Sequence, residues 1–173
     1  MINFAPKIII YGMKIGIIVA MDKELRQLQQ LFTDGNVRVM KCGIGKVNAA
    51  LGAQRLINEF HPDAIISSGC AGGNGDDIQV QDVVVSTELA YHDVYCGEAV
   101  GHSVYGQVQG LPARFSADPW LLEKATLLSS LTSHRSSLKI HPGLIVTGDW
   151  FVDTREKMRE IIGHFPEAKA VDM

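Results

Sequence analysis

The sequence is poor in cysteine and clustered positive charge, and it has no long apolar run; each shortage removes a class of protein. Three cysteines, Cys42, Cys70 and Cys96, occur in 173 residues. They are odd in number and lack CxxC spacing, so neither a disulfide framework nor a thiolate zinc site is expected. They read as reduced thiols of a cytoplasmic protein. Lys and Arg total 16 against 19 Asp and Glu, a net charge of -3, and no two basic residues are adjacent. A nucleic-acid surface needs clustered cations to displace counterions from phosphates, so no nucleic-acid partner is expected. The most apolar stretch, Ile8 to Met21, is interrupted by Gly12 and Lys14. It is too short to span a bilayer, and no small-x-small cleavage site follows before Asp22. It reads as a buried strand behind a short leader, residues 1–12, with no membrane partner.

What remains is an ordinary globular composition: 46% hydrophobic, 20% charged and 7% aromatic. A chain of this length can bury roughly 70% of the surface its unfolded form exposes, enough for a real core. Lys14 to Ala20 is short, continuous and β-branched, as in a strand buried on both faces in the middle of a sheet. Met21 to Phe32 has helical spacing, with Asp22 and Glu24 in its first turn, and 33–36 reads as a turn. Val37 to Lys41 is a strand, Gly43 to Lys46 a glycine loop, and Val47 to Phe60 a helix with Ala50, Leu51, Ala53, Leu56 and Ile57 as its apolar face. The unit then recurs: a strand from Asp63 to Ser68 and a glycine loop from Gly69 to Gly73. Further strands are expected at Gln81 to Thr87, Gly143 to Thr147 and from Ala168 to Val171, and further helices at Pro119 to Leu128 and Thr154 to His164. Strands alternating with helices indicate an α/β fold, a three-layer sandwich whose central, mostly parallel or mixed sheet is flanked by helices. In such sheets ligands bind at the carboxyl ends of the strands. Those ends are Ala20 to Glu24, Ser68 to Gly73, Gly148 to Val152 and Val171 to Met173.

Several groups there could carry chemistry. The glycine loops match neither the P-loop nor GxGxxG, so each is either a tight turn or a place where backbone approaches a flat ligand. Glu24 is either a solvated first-turn acid or a carboxylate that activates water in a cleft. His92-Asp93 has the chemistry of a metal or triad pair, but no GxSxG, HExxH or second histidine at ligand spacing supports it. Trp150-Phe151 is either core or an aromatic platform for a planar ring.

Six blocks, taken in order, resemble one family: Met13 to Glu24, Cys42 to Val47, Gly69 to Gly73, Tyr91-His-Asp93, Gly148 to Phe151 and Val171-Asp-Met173. They resemble the bacterial 5'-methylthioadenosine/S-adenosylhomocysteine nucleosidases of the purine nucleoside phosphorylase superfamily. The resemblance implies hydrolysis of the N-glycosidic bond of a 5'-substituted adenosine, releasing adenine. It implies that Glu24 deprotonates the attacking water and that Met21 packs under the ribose. Cys70, Ala71 and Gly72 would line the site, Phe151 would stack on adenine, and Val152 would give the base backbone hydrogen bonds. Met173 would lie beneath the sugar, with Asp172 beside it. No metal or organic cofactor is implied, and the expected assembly is a homodimer in which the Tyr91 to Pro112 region completes the partner's site.

Met13 would match the start of the relatives, making 13–173 the nucleosidase domain. In the family a glutamate follows Val171-Asp-Met173 at once, and a Ser-Asp pair whose aspartate protonates the purine comes later. The sequence stops before both, so the domain is expected to be incomplete at its C-terminus and an enzyme of these residues alone inactive; the alternative to an enzyme is a nucleoside-binding or dimerisation module. The related phosphorylases, which attack with phosphate, carry arginines where this chain has Ser67 and Ala20-Met21. Phosphate is usually held by arginine forks, so water is the expected nucleophile.

Overall fold

Alternation along the first strand decides the architecture of the N-terminal half. In the computed structural model, which describes residues 12–33, 35–97, 104–132 and 139–173, β1 spans Ile15–Val19 and is buried along its whole length. Ile15, Ile17 and Val19 point to one face, where Leu25 and Leu28 of helix α1 (Asp22–Gln29) pack against them. Ile18 points to the other face and meets Leu56 and Phe60 of α2 (Lys46–Phe60). A strand covered on both sides must be continuously apolar, which is why this segment shows no period-two polarity. β2 (Val37–Lys41) and β3 (Ala64–Ser67) flank it in parallel, in the order β2-β1-β3. The expected central position of β1 is thus observed.

The chain divides after Gly69 into two compact units. The second holds a five-stranded ladder of order β4-β8-β7-β5-β6. Its strands are β4 (Gly72–Gly73), β5 (Val83–Tyr91), β6 (Phe115–Ser116), β7 (Ile140–Thr147) and β8 (Ala168–Asp172). β5, β7 and β8 run parallel, while β4 and β6 pair antiparallel at the two edges. Helices α3 (Pro119–Thr132) and α4 (Arg155–His164) complete this unit. Its core joins Ala90, Leu144, Val146 and Val171 from the strands to Ile161 and Phe165 from α4 and its end. The architecture is therefore mixed α/β with mainly parallel pairing, as the alternation predicted.

Three details depart from the sequence reading. Part of the Gly69 to Gly73 loop is strand, because Gly72 and Gly73 pair with Val171 and Ala170. β5 runs on to Tyr91, across an irregularity between Ser86 and Glu88. The buried stripe of α2 is Gly52, Leu56 and Phe60; Leu51 and Ile57, expected inward, are exposed. Gly52 explains this choice, since a Cβ there would lie 2.2 Å from the Cβ of Cys42, so the helix presses its glycine against the end of β2. The leader falls almost wholly outside the described residues, as do Asp34 of the first turn and residues 98–103 of the Tyr91 to Pro112 region.

Candidate active site

At the end of β1 the backbone turns into α1 with Met21 extended at the N-cap. The first N–H groups of a helix have no partner within it. Here Glu24 supplies one: its Oε2 accepts from the N–H of Met21 at 2.9 Å and of Ala20 at 3.0 Å. The carboxylate therefore folds back over the strand end and is buried, at 8% exposure, unlike the solvated neighbours Asp22 and Lys23. Glu24 is therefore not a solvated first-turn acid. The Cβ that any other residue would carry at position 69 would lie 3.2 Å from Glu24 Oε1. Glycine at the end of the β3 segment thus leaves room beside the acid. Cys42 lies close enough that the Glu24 charge adds to burial in holding its thiol above the ordinary range; burial is the larger cause. Met21 itself is exposed.

In the second unit, one rung crosses three parallel strands: Tyr91 of β5 pairs with Thr147 of β7, and Thr147 with Asp172 of β8. Immediately beyond that rung lie His92-Asp93, Gly148 to Val152 and Met173. The carboxyl ends thus gather Phe151, Val152, Asp172 and Met173 as the strand order requires, and Gly72 joins them through its pairing with Val171. Phe151 is 67% exposed, so its ring is not core, whereas Val152 packs against the core cluster. Cys70 and Ala71 are exposed in the loop leading to β4. Asp172 and Met173 are half-buried.

His92 is fully buried, its ring 5.9 Å from that of Trp150. Among the described residues no group of three His, Cys, Asp or Glu side chains is placed to hold a metal. Lys157 was not among the residues singled out by sequence. Its Nζ donates to the carbonyl of Phe151 at 3.0 Å and to Asp153 Oδ1 at 2.8 Å, holding that carboxyl below its ordinary range. The i, i+4 spacing of Asp153 and Lys157 was the available signal.

The chain is similar to known proteins in sequence and in fold. Residues 30–173 match the family model described as the phosphorylase superfamily. A 5'-methylthioadenosine/S-adenosylhomocysteine nucleosidase from an Exiguobacterium species is 40% identical over 93% of this chain and 75% of its own length. The chain belongs to that nucleosidase family. The nucleosidase from Neisseria meningitidis, solved with methylthio-immucillin-A, superposes with a TM-score of 0.82 at 38% identity, over 92% of this chain and 75% of that one. The nucleosidase from Colwellia psychrerythraea, solved with adenine, gives a TM-score of 0.85 at 34% identity, over 94% and 73%. Among the described residues no helix is long and apolar enough to cross a membrane.

Proposed function

We propose that this chain hydrolyses the N-glycosidic bond of 5'-methylthioadenosine and S-adenosylhomocysteine, releasing adenine and a 5-thio-substituted ribose. The observation that carries the choice of water over phosphate is the environment of Glu24. A helix N-terminus is a ready anion site. In this chain the two N–H groups that lead into that helix, those of Ala20 and Met21, are already engaged by the protein's own carboxylate. An incoming phosphate would meet negative charge there rather than an unfilled cradle, whereas a water finds an acceptor for its proton. Neither Ala20-Met21 nor Ser67 supplies a guanidinium.

In this reading Glu24 takes a proton from water as its oxygen bonds to the anomeric carbon. The bond from that carbon to the purine nitrogen breaks and the purine leaves with a proton from a second acid, the role the family gives to the aspartate of its later Ser-Asp pair, because an anionic adenine is a poor leaving group; the proton on Glu24 then returns to solvent. The sugar passes through a cation, whose charge a nearby carboxylate stabilises. Phe151 stacks on the purine, and the backbone at Val152 hydrogen-bonds its edge. Met21 and Met173 pack against the ribose, Asp172 lies beside it, and Cys70, Ala71 and Gly72 line the site. The 67% exposure of Phe151 supports the stacking role, since a ring left in solvent is available to a ligand.

We place the reaction in the cytoplasm, within one nucleosidase domain over 13–173, and in a homodimer. Exposed Ile44, just before α2, and exposed Val47 and Leu51 on it support association, because apolar side chains left in water favour a partner surface. The test is adenine release from 5'-methylthioadenosine in phosphate-free buffer, with the sugar product identified by mass. A free reducing sugar supports hydrolysis. A sugar 1-phosphate formed only when phosphate is added would overturn it.

A further inference from the structure

The segment from Gly148 to Asp153 is held from two sides by groups outside it. On one side the Asp93 carboxylate accepts the backbone N–H of Asp149 at 2.7 Å. The preceding residue, His92, donates its own N–H to the carbonyl of Thr147 at 2.9 Å and fills the space beneath Trp150. The fit is close: a Cβ on Gly148 would lie 2.6 Å from His92 Cε1 and 2.7 Å from Asp93 Cγ. On the other side Lys157 draws on the carbonyl of Phe151. Its own N–H is received by Thr154 Oγ1, the N-cap of α4, at 3.2 Å. The Gly148–Asp149 peptide group is thus fixed by an anion and the Phe151–Val152 peptide group by a cation. The residues between and beside them are Trp150, Phe151 and Val152.

We propose that Asp93, seated by the buried His92, is a positioning residue for purine binding. It fixes the peptide plane at Asp149 and so sets the direction of the Phe151 ring and of the Val152 backbone. The proposal rests on the assignment of Phe151 and Val152 to the purine. Asp93 touches no reacting atom in this scheme. It acts on the base, which is bound alike in ground state and transition state. Its loss should therefore raise KM and the adenine Kd together and leave kcat much less affected.

The test is steady-state kinetics with 5'-methylthioadenosine and calorimetric titration with adenine, on the unmodified chain, Asp93→Ala and Asp93→Asn. Asp93→Ala should raise KM and the adenine Kd by the same factor, about tenfold, the worth of one charge-assisted hydrogen bond. Asp93→Asn retains an acceptor and should fall between the two. A merely structural role would instead lower the active fraction and melting temperature at unchanged KM and Kd, and that result overturns the proposal. If Asp93→Ala does not fold, Gly148→Ala disturbs the same contact from the opposite side and should raise the adenine Kd; an unchanged Kd there is equally fatal. An unmodified chain that neither binds adenine nor turns over substrate would count against the nucleosidase reading itself. Turnover by the unmodified chain with variants of unaltered Kd would count against Asp93 alone.

Discussion

Replacing Glu24 by Gln separates chemistry from architecture, because the amide keeps the shape of the side chain and removes its charge and basicity. Glu24 Oε2 accepts two backbone N–H groups at 2.9 and 3.0 Å. A glutamine oxygen can still accept them, though more weakly. With hydrogen bonds to charged groups worth roughly 1 kcal/mol more than neutral ones, the fold should lose about 1–2 kcal/mol. For a chain of this size that is a fall in Tm of a few degrees, on the order of 2–8 °C. The catalytic loss is of another scale. A positioned general base contributes roughly 10²- to 10⁴-fold, which is about 3–5 kcal/mol of barrier. Adenine release from 5'-methylthioadenosine in phosphate-free buffer should therefore fall by at least two decades, in protein whose melting curve is only slightly shifted. Glu24→Asp retains the charge but withdraws it by about 1.5 Å, one carbon–carbon bond. It cannot keep both backbone contacts and should also be severely impaired, since a displacement of that size costs about 10²-fold. Glu24→Gln protein with more than a tenth of the original rate would refute the assignment.

Phe151→Ala should raise KM by roughly 5- to 150-fold, the ~1–3 kcal/mol of a base–aromatic stack, with little change in Tm because the ring is already 67% exposed; an unaltered KM would remove Phe151 from the site. Gly52→Ala gains up to about 1 kcal/mol of helix propensity. It also forces a methyl to within 2.2 Å of Cys42 Cβ and 3.1 Å of its Cα. Overpacking against groups that cannot swing aside costs about 1–3 kcal/mol, so the urea midpoint should fall; a rise would show that α2 shifts freely. Acid should destabilise the second unit through Asp77 and Asp82. Asp82 lies below its ordinary value chiefly because the Gln79 N–H donates to it and secondarily through His141, while Asp77 is lowered by its own backbone N–H and by Lys169. Carboxylates of the unfolded chain titrate near pH 3.9, approximately, so this stabilisation is complete above that pH and is lost as pH falls through the lower folded values. The urea midpoint should drop below about pH 4, and Asp82→Asn should flatten the drop; identical slopes would refute it.

How much of this was readable in the residues varies with the physics behind each feature. β1 was legible because a strand buried on both faces leaves a continuous apolar run, and β2 because Val37 and Val39 alternate with the exposed Arg38. β5 was cut short at Thr87 because Glu88 resembled a polar boundary. In the fold that carboxylate is met by Arg114, which also reaches Glu167, an ion-pair triad between segments far apart in sequence. β4 and β6 have two residues each, too few for any periodicity. The α2 stripe was misjudged because hydrophobicity favours Leu51, whereas close approach to β2 favours Gly52. At the site, an acid in the first turn of a helix usually faces solvent, so nothing local announced that Glu24 turns back over β1. Phe151 was visible as an aromatic at a strand end. Lys157 was not, because its importance lies in a carbonyl six residues away.

The hydrolytic reading follows from how one terminus is satisfied. Backbone N–H groups at the end of a buried strand must find an acceptor, and in a phosphate-using enzyme the substrate is a natural one. Supplying Glu24 from within the same helix satisfies Ala20 and Met21 internally and leaves the fold without need of an anion. The same step places the carboxylate beside Gly69, where an added Cβ would come within 3.2 Å of Oε1. In the proposed reaction a single residue three positions into the helix thereby satisfies the strand end, repels a phosphate nucleophile and offers a water its acceptor. Converting this chain to phosphorolysis would therefore take more than adding an arginine: the carboxylate would have to leave, and the helix would then need its cap from the phosphate itself.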